Sequence, residues 1–286
     1  MNESSSRHEQ MAETCIAGAM LSHPGLVREH NEDSVVYRVP RPDDPSSRLG
    51  AFALVADGMG GHAAGEVASS IAARITHFIY YQQDRPAPVA LAEAFFAANK
   101  VIHQRSLADP ECAGMGTTCT VVVVRDDCAW LGHVGDSRAY LVRNGEIHQM
   151  SEDHSLVASL VRDGAMTPEE AATSPERNVI LRALGTQATV EPQIWDEGLP
   201  LRLGDVLVLC SDGLSDLIDD ATIAATVSQY PPSEACQALV DAALAAGGHD
   251  NVSVGIFAIT AEPPQASAED RPTRTTDVRA LLGEQS

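Results

Sequence analysis

Two apolar runs in this chain end at the same dipeptide, Asp-Gly. The run "AFALVADG" ends at Asp57 and Gly58, and the run "DVLVLCSDG" ends at Asp212 and Gly213. An apolar run of this length, bounded by turn residues, is typical of a buried strand. Each aspartate therefore stands at the end of such a strand, and the following glycine lets the backbone turn sharply and approach a ligand closely. The pattern predicts that two strands deliver carboxylates to one place.

Two further aspartates occupy similar positions. Asp136 lies in the turn of "GHVGDSRAY" between two strand-like runs, and Asp250 precedes the last such run, "NVSVGIFAIT". Carboxylates brought together raise one another's pKa and destabilise the fold unless cations neutralise them. The chain offers oxygen ligands and no zinc-type Cys or His spacing, which favours Mg²⁺ or Mn²⁺. A single Asp-Gly is more often an ordinary turn, so the prediction rests on the four aspartates together.

Charge and composition exclude several classes of protein. The 286 residues include 19 Lys plus Arg and 40 Asp plus Glu, a formal net charge of -21 at pH 7. A surface this acidic repels phosphate backbones, so we do not expect a nucleic-acid partner. The N-terminal "MNESSSRHEQMAET" lacks the apolar core of a signal peptide, and no run reaches the roughly 20 apolar residues of a membrane span. We expect a cytoplasmic protein that does not bind membranes.

The order of strand-like and helical runs indicates the fold class. Two strand-like runs come first and "AFALVAD" is the third. Two helical runs follow it, and then three further strand-like runs with tight connections. A polar insert then extends to about residue 185 and contains a capping-box pattern at Thr167. After the insert come a strand, a helix predicted to begin at Ser233, and the last strand. Consecutive strands interrupted by helix pairs indicate an α+β protein with mixed layers. We expect flexible tails at residues 1–14 and 261–286, with a short docking helix near Leu281 as the alternative for the second.

The segment "REHNED" adds a cation to the acidic set. Arg28 lies close in sequence to Glu32 and Asp33. A guanidinium fork matches the oxygens of a phosphoryl group, although a surface salt-bridge turn explains this stretch equally well. The chain has no P-loop and no H-E-x-x-H motif. "GDSRA" lacks the final glycine of a serine-hydrolase elbow, so that chemistry is not expected.

Eight segments, taken in order, identify a family resemblance. They are "REHNEDS", "ADGMGGHAAGEVAS", "GMGTTC", "GHVGDSRAYL", "EDHSLV", "ERNVILRALG", "LCSDGLSD" and "GGHDNVSV". The series resembles that of the PP2C family of metal-dependent serine/threonine protein phosphatases, in its bacterial branch, over residues 15–260. The resemblance implies a four-layer α-β-β-α sandwich of two antiparallel sheets, a flap insert at about residues 153–185, and metal ions at one end of the sheets.

The resemblance also implies roles for individual residues. Asp57 would bridge two Mn²⁺ or Mg²⁺ ions, and Arg28 would bind the phosphate of the substrate. His62 corresponds to a candidate general acid, which would make Asp57, Arg28 and His62 the catalytic residues. The metal ligands implied are Glu32, Asp33, Asp57, Gly58, Asp136, Asp212 and Asp250, of which Asp136 would serve a third, weaker ion.

The activity implied is hydrolysis of phosphoserine and phosphothreonine in proteins. Water bridging two metal ions would attack phosphorus directly, without a covalent phosphoenzyme. The partners implied are phosphorylated proteins and a cognate serine/threonine kinase, and the chain is expected to be a monomer. Two alternatives stay open: a pseudophosphatase that binds phosphoproteins without turnover, and a phosphomonoesterase for small molecules.

Overall fold

The computed structural model describes residues 14–60 and 64–261. In these residues the strands, in chain order, are β1 (Cys15–His23), β2 (Asp33–Arg38), β3 (Ala51–Met59), β4 (Gly116–Thr117), β5 (Cys119–Arg125), β6 (Cys128–Val134), β7 (Arg138–Arg143), β8 (Glu146–Gln149), β9 (Gln193–Ile194), β10 (Leu199–Pro200), β11 (Val206–Cys210) and β12 (Val252–Thr260). The α-helices are α1 (Ala64–Tyr81), α2 (Ala87–Ala108), α3 (Leu156–Arg162), α4 (Pro168–Thr173), α5 (Asp212–Ser215), α6 (Asp220–Gln229) and α7 (Pro232–Ala245).

The strands form two antiparallel sheets. One has the order β1-β12-β11-β7-β8, and the other has the order β10-β6-β5-β3-β2, with β4 paired to β3 and β9 paired to β6. In the first sheet β1 and β12 pair along their whole length, from Cys15 opposite Thr260 to His23 opposite Val252. The first strand of the described chain is therefore held by its last, and "AFALVAD" lies between two partner strands, β2 and β5.

The two sheets stack face to face and each carries helices on its outer face. One apolar cluster joins α1 and α2 to the second sheet, and a separate cluster joins α6 and α7 to the first. A third cluster, which includes Val55, Leu131, Leu209 and Phe257, fills the space between the sheets. This arrangement confirms the predicted α-β-β-α sandwich. Apolar residues occur at both faces of the central strands because every face is covered.

Local sequence signals set several boundaries. The β7–β8 hairpin turns at Asn144 and Gly145, which both have positive φ, as the "RNGE" turn predicts. The capping box at Thr167 is present, with reciprocal hydrogen bonds to Glu170. The predicted start of α7 at Ser233 is wrong by one residue: the helix begins at Pro232, since proline presets the helical φ of the first turn and needs no hydrogen-bond partner there.

The polar insert of residues 153–185 contains α3 and α4 and returns to the second sheet, where Leu184 pairs with Thr117. Most of the two predicted tails lies outside the described residues. Among the described residues, no helix combines the length and apolar character needed to cross a bilayer.

Candidate metal and phosphate site

The predicted carboxylates meet at one end of the stacked sheets. Asp33 begins β2 and lies directly opposite Asp57 of β3. In the other sheet, β11 ends at Cys210 and Asp212 begins α5, while Asp250 lies two residues before β12. Adjacent antiparallel strands begin and end alternately at the same edge, so the end of one strand lies beside the beginning of the next. The sheets therefore place these four carboxylates in one region, and the strand-end pattern predicts this for Asp57, Asp212 and Asp250.

A buried serine joins the two sheets at this end. The Ser211 hydroxyl donates to Asp33 Oδ2 at 2.8 Å, and the Ser253 backbone N–H donates to Ser211 Oγ at 3.0 Å. Ser211 is fully buried and Asp33 is 7% exposed. Ser211, which follows β11 of the first sheet, thus holds one carboxylate oxygen of Asp33, which begins β2 of the second sheet.

The glycines after Asp57 allow a close approach of three chain segments. The Gly58 N–H donates to the carbonyl oxygen of Glu32 at 3.1 Å. A Cβ at Gly58 would collide with the carbonyl of Gly65, and a Cβ at Gly65 would collide with the carboxylate of Glu32. The glycines are therefore required because the backbone of β3, the start of α1 and Glu32 occupy adjacent space. This packing explains why a glycine directly follows the aspartate at the end of the buried strand and why another lies at the start of α1.

Asp136 lies in the turn between β6 and β7 and is 9% exposed. The adjacent Ser137 hydroxyl is 2.7 Å from Thr118 Oγ1, which also accepts a hydrogen bond from the Asp57 N–H at 2.8 Å. Thr117 Oγ1 donates to the Asp57 carbonyl at 2.8 Å. The two threonines therefore tie the backbone that carries Asp57 to the turn that carries Asp136.

Burial raises the pKa of every buried aspartate at this end of the sheets. The pKa rises to about 7 for Asp33, about 8 for Asp136 and about 6 for Asp212, and well above the ordinary 3.8 for Asp57. Neighbouring carboxylates add to the effect of burial, with Asp212 raising the pKa of the other three. A hydrogen bond between Asp57 and Asp212 raises the pKa of Asp57 and lowers that of Asp212. Without cations, the site therefore holds protons that its residues would otherwise release.

The carboxylate oxygens fit hard divalent cations. One side-chain oxygen on each of four residues is buried without a hydrogen-bond partner: Glu32 Oε1, Asp33 Oδ1, Asp136 Oδ1 and Asp212 Oδ1. Buried acceptors are normally satisfied, and Mg²⁺ and Mn²⁺ prefer carboxylate oxygens. As the side chains stand, no three Asp, Glu, His or Cys residues in the described ranges form a finished metal-binding group. Some carboxylates at this end of the sheets accept hydrogen bonds from protein donors, among them Asp33 from Ser211 and Asp250 from Arg28.

Arg28 is one such donor. Its guanidinium Nη2 donates to Asp250 Oδ2 at 2.7 Å, and its side chain is 50% exposed. Hydrogen bonding to Asp250 raises the pKa of Arg28, and the nearby Glu32 and Asp57 carboxylates act in the same direction. The structure therefore brings the predicted phosphate-binding cation to the edge of the carboxylate site. The position of His62 lies outside the described residues.

Thr118, Ser211 and Asn251 are among the residues that contact the site and carry no role in the sequence prediction. Each lies within a motif of the resemblance, at "GMGTTC", "LCSDG" and "GGHDN". Their proximity to the acidic motifs was the available signal. Their hydrogen-bond partners, however, lie on distant segments: Ser211 and Asp33 are 178 residues apart.

Comparison with known proteins agrees with this fold. The family model for protein phosphatase 2C matches residues 19–159. The serine/threonine protein phosphatase PstP of Mycobacterium tuberculosis is 42% identical over 239 residues, which are 82% of this chain and 43% of the relative. This chain thus spans less than half the length of that relative.

Two further matches cover nearly the whole of the related chain. Protein phosphatase PhpP of Streptococcus pneumoniae is 35% identical over 85% of this chain and 98% of its own length. The crystal structure of the PstP catalytic domain in complex with two manganese ions superposes with a TM-score of 0.75 and 37% identity, over 86% of this chain and 99% of that domain. The resemblance carried by the eight sequence motifs is therefore one of common descent, and this chain belongs to the bacterial members of the protein phosphatase 2C family.

Proposed function

We propose that this protein hydrolyses phosphoserine and phosphothreonine in other proteins and thereby opposes a serine/threonine kinase. The observation that carries the proposal is the set of buried carboxylate oxygens without partners, on four of the predicted ligands, at the edge where Arg28 lies. The names of the relatives support the same reaction class.

The residues proposed to hold two Mn²⁺ or Mg²⁺ ions are those brought together at the sheet ends: Glu32, Asp33, Asp57, Gly58, Asp212 and Asp250, with Asp136 for a third ion. Bound there, the ions would supply Lewis-acid activation of water and neutralise phosphoryl charge. The two manganese ions in the related PstP structure support the choice of metal.

Arg28 is proposed to bind and orient the phosphoryl group. Its side chain is 50% exposed while its Nη2 contacts Asp250. A planar guanidinium can hold two phosphoryl oxygens at once, which fixes their orientation for in-line displacement. His62 stays a candidate general acid, and its substitution tests that role directly.

The domain and its surroundings are also proposals. Residues 15–260 would form the phosphatase domain. Residues 153–185 would form a flap beside the site, because the His154 N–H of this segment donates to the carbonyl of Gly135, next to Asp136. The substrates proposed are phosphorylated proteins in the cytoplasm, and the enzyme would act as a monomer.

The test is hydrolysis of p-nitrophenyl phosphate and of a phosphothreonine peptide by the purified full chain. Each assay is run with EDTA, with Mg²⁺ and with Mn²⁺, for the wild type, Asp57→Asn and Asp241→Asn. Asp241 is exposed on α7, and its carboxylate accepts a hydrogen bond from Gln237 of the same helix. Metal-dependent turnover that is lost in Asp57→Asn and retained in Asp241→Asn supports the proposal.

A folded protein without turnover under any metal would refute the proposed activity. Binding of the intact phosphopeptide by such a protein would indicate a phosphoprotein-binding regulator instead. Turnover of p-nitrophenyl phosphate without turnover of the peptide would indicate a small-molecule phosphomonoesterase.

A further inference from the structure

Arg28 lies in a segment between β1 and β2, to which one distant side chain makes three hydrogen bonds. We call residues 24–32 the Arg28 loop. Its most exposed large apolar residues, Leu26 and Val27, are 64% and 65% exposed, so apolar packing contributes little to its position. The loop must therefore be held by hydrogen bonds.

Asn251 supplies three of these hydrogen bonds. Its side-chain amide donates to the Pro24 and His30 carbonyl oxygens, each at 2.9 Å, and its side-chain carbonyl accepts from the Glu32 N–H at 2.7 Å. Asn251 is 4% exposed. One buried side chain thus binds the loop backbone near both ends and on either side of Arg28.

Asn251 ends a turn formed by residues 248–251, which we call the Asp250 turn. This turn contacts the Arg28 loop at two further points. The Leu26 N–H donates to the Gly248 carbonyl at 2.8 Å, and a Cβ on Gly25 would collide with the Asp250 carbonyl. The Asn251 N–H donates to Asp250 Oδ1 at 2.8 Å. The contacts of Asn251 therefore fix the loop relative to Asp250, the carboxylate that Arg28 contacts.

We propose that Asn251 is a positioning residue that sets the place of the Arg28 guanidinium relative to Asp250. The inference rests on the proposed function, in which that guanidinium binds the phosphoryl group. Without the Asn251 side chain, two carbonyls and one N–H of the loop lose their buried partner, and the loop has little apolar packing to keep it in place. Asn251 would act through Arg28 and would not touch the substrate.

The test is a double-mutant cycle on kcat/KM with the phosphothreonine peptide and Mn²⁺. Asn251→Ala is expected to lower kcat/KM roughly 10- to 100-fold, because small displacements of a substrate-orienting group have effects of this size. In an Arg28→Ala background, the same substitution should lower kcat/KM by less than about twofold, since residues that act as a unit are not additive. Equal effects of Asn251→Ala in both backgrounds would overturn the proposal.

Asn99 provides a matched control. It is 2% exposed and binds another loop in the same pattern, since its amide donates to the Gln187 and Ala188 carbonyl oxygens and its carbonyl accepts from the Gly185 N–H. Asn99→Ala removes an equivalent set of buried hydrogen bonds far from Arg28 in sequence. Its effect on kcat/KM should be the same with and without Arg28, within about twofold.

A second readout does not depend on turnover. In hydrogen–deuterium exchange of the wild type, the Leu26 and Glu32 amides should be protected, because both are hydrogen-bonded to the Asp250 turn. In Asn251→Ala, faster exchange should be confined to the Arg28 loop. If Asn251→Ala does not fold, Asn251→Ser is used in its place. Fast exchange of both the Leu26 and the Glu32 amide in the wild type would overturn the proposal by itself. If the wild type is inactive but its Leu26 and Glu32 amides are protected, the proposed function is refuted, while the proposal that Asn251 holds the Arg28 loop stands.

Discussion

Asp33→Asn should stabilise the metal-free protein while weakening its response to metal. Asp33 is 7% exposed, one of its oxygens has no partner, and burial raises its pKa to about 7 from an ordinary 3.8. Asparagine keeps the oxygen that accepts from Ser211 and replaces the unpartnered oxygen by an amide that can donate to neighbouring carboxylates. The substitution removes a buried charge without removing the hydrogen bond between the sheets.

The magnitude follows from the raised pKa of Asp33. A tenfold change in proton affinity corresponds to about 1.4 kcal/mol, so ionising Asp33 at pH 8 lowers the free energy of unfolding by roughly 2–4 kcal/mol once the interaction with its neighbours is allowed for. For a domain of this size, that difference raises Tm by roughly 5–15 °C. The assay is thermal unfolding in EDTA at pH 8, followed by circular dichroism.

The pH dependence has a definite sign. A carboxyl whose folded pKa is raised contributes stability that is fully present below pH 3.8 and is lost as the pH rises through about 7. The advantage of Asp33→Asn should therefore be large at pH 8 and should shrink towards pH 6. Added Mn²⁺ should raise the Tm of the wild type more than that of the variant.

Asp205→Asn is the matched control, with the opposite expectation. Asp205 is also buried, at 2% exposure, but both of its oxygens accept hydrogen bonds from the Arg143 guanidinium, at 2.8 and 2.6 Å. Its substitution should lower the free energy of unfolding by roughly 2–3 kcal/mol because a charged pair is broken. The reasoning is refuted if Asp33→Asn melts below the wild type at pH 8 in EDTA, or if its advantage is the same at pH 6.

Three further predictions concern other parts of the molecule. Gly25→Ala should lower Tm and should lower kcat/KM at least roughly 10-fold, because the residue has a φ of 80° and its new Cβ would collide with the Asp250 carbonyl; unchanged kinetics would contradict this. Burial lowers the pKa of His133 to about 4, so the stability that its neutral ring contributes is lost as the pH falls from 6.5 towards 4. His133→Gln should therefore show a smaller decrease in Tm than the wild type over that pH range. Thr167→Ala should cost about 1 kcal/mol locally and speed amide exchange in residues 168–173, whereas a global loss of stability would show that α4 is coupled to the core.

The strand-end aspartates could be predicted because their signal is local. An apolar run followed by Asp-Gly specifies a strand, its end and a turn within about ten residues, and the hairpin at Asn144 and the cap at Thr167 depend on equally short patterns. The meeting of the carboxylates follows from the antiparallel strand order, since neighbouring strands begin and end alternately at the same edge. The two antiparallel sheets were implied by the family resemblance and not by any local pattern, and the order of the strands within them was not predicted.

The side-chain partners of these groups could not be predicted in the same way. Asn251 and the Glu32 N–H are 219 residues apart, and Arg28 and Asp250 are 222 residues apart. Propensity and periodicity describe neighbours along the chain, so they carry no information about which buried polar group meets which. The polar contacts that hold the site together are therefore visible only in the three-dimensional structure.

The site collects buried carboxylates at one end of an otherwise well-packed sandwich, at a cost in stability that its chemistry explains. The apolar clusters on both outer faces and between the sheets fix the strand ends independently of any ion. That rigidity holds Asp33, Asp57 and Asp212 together despite burial and mutual repulsion, which raise the pKa of each. A flexible site would separate the carboxylates and lose its affinity for cations. Divalent cations that bind these carboxylates would remove the cost in free energy that burial and repulsion impose. The residues that destabilise the metal-free fold are therefore those expected to bind metal most strongly.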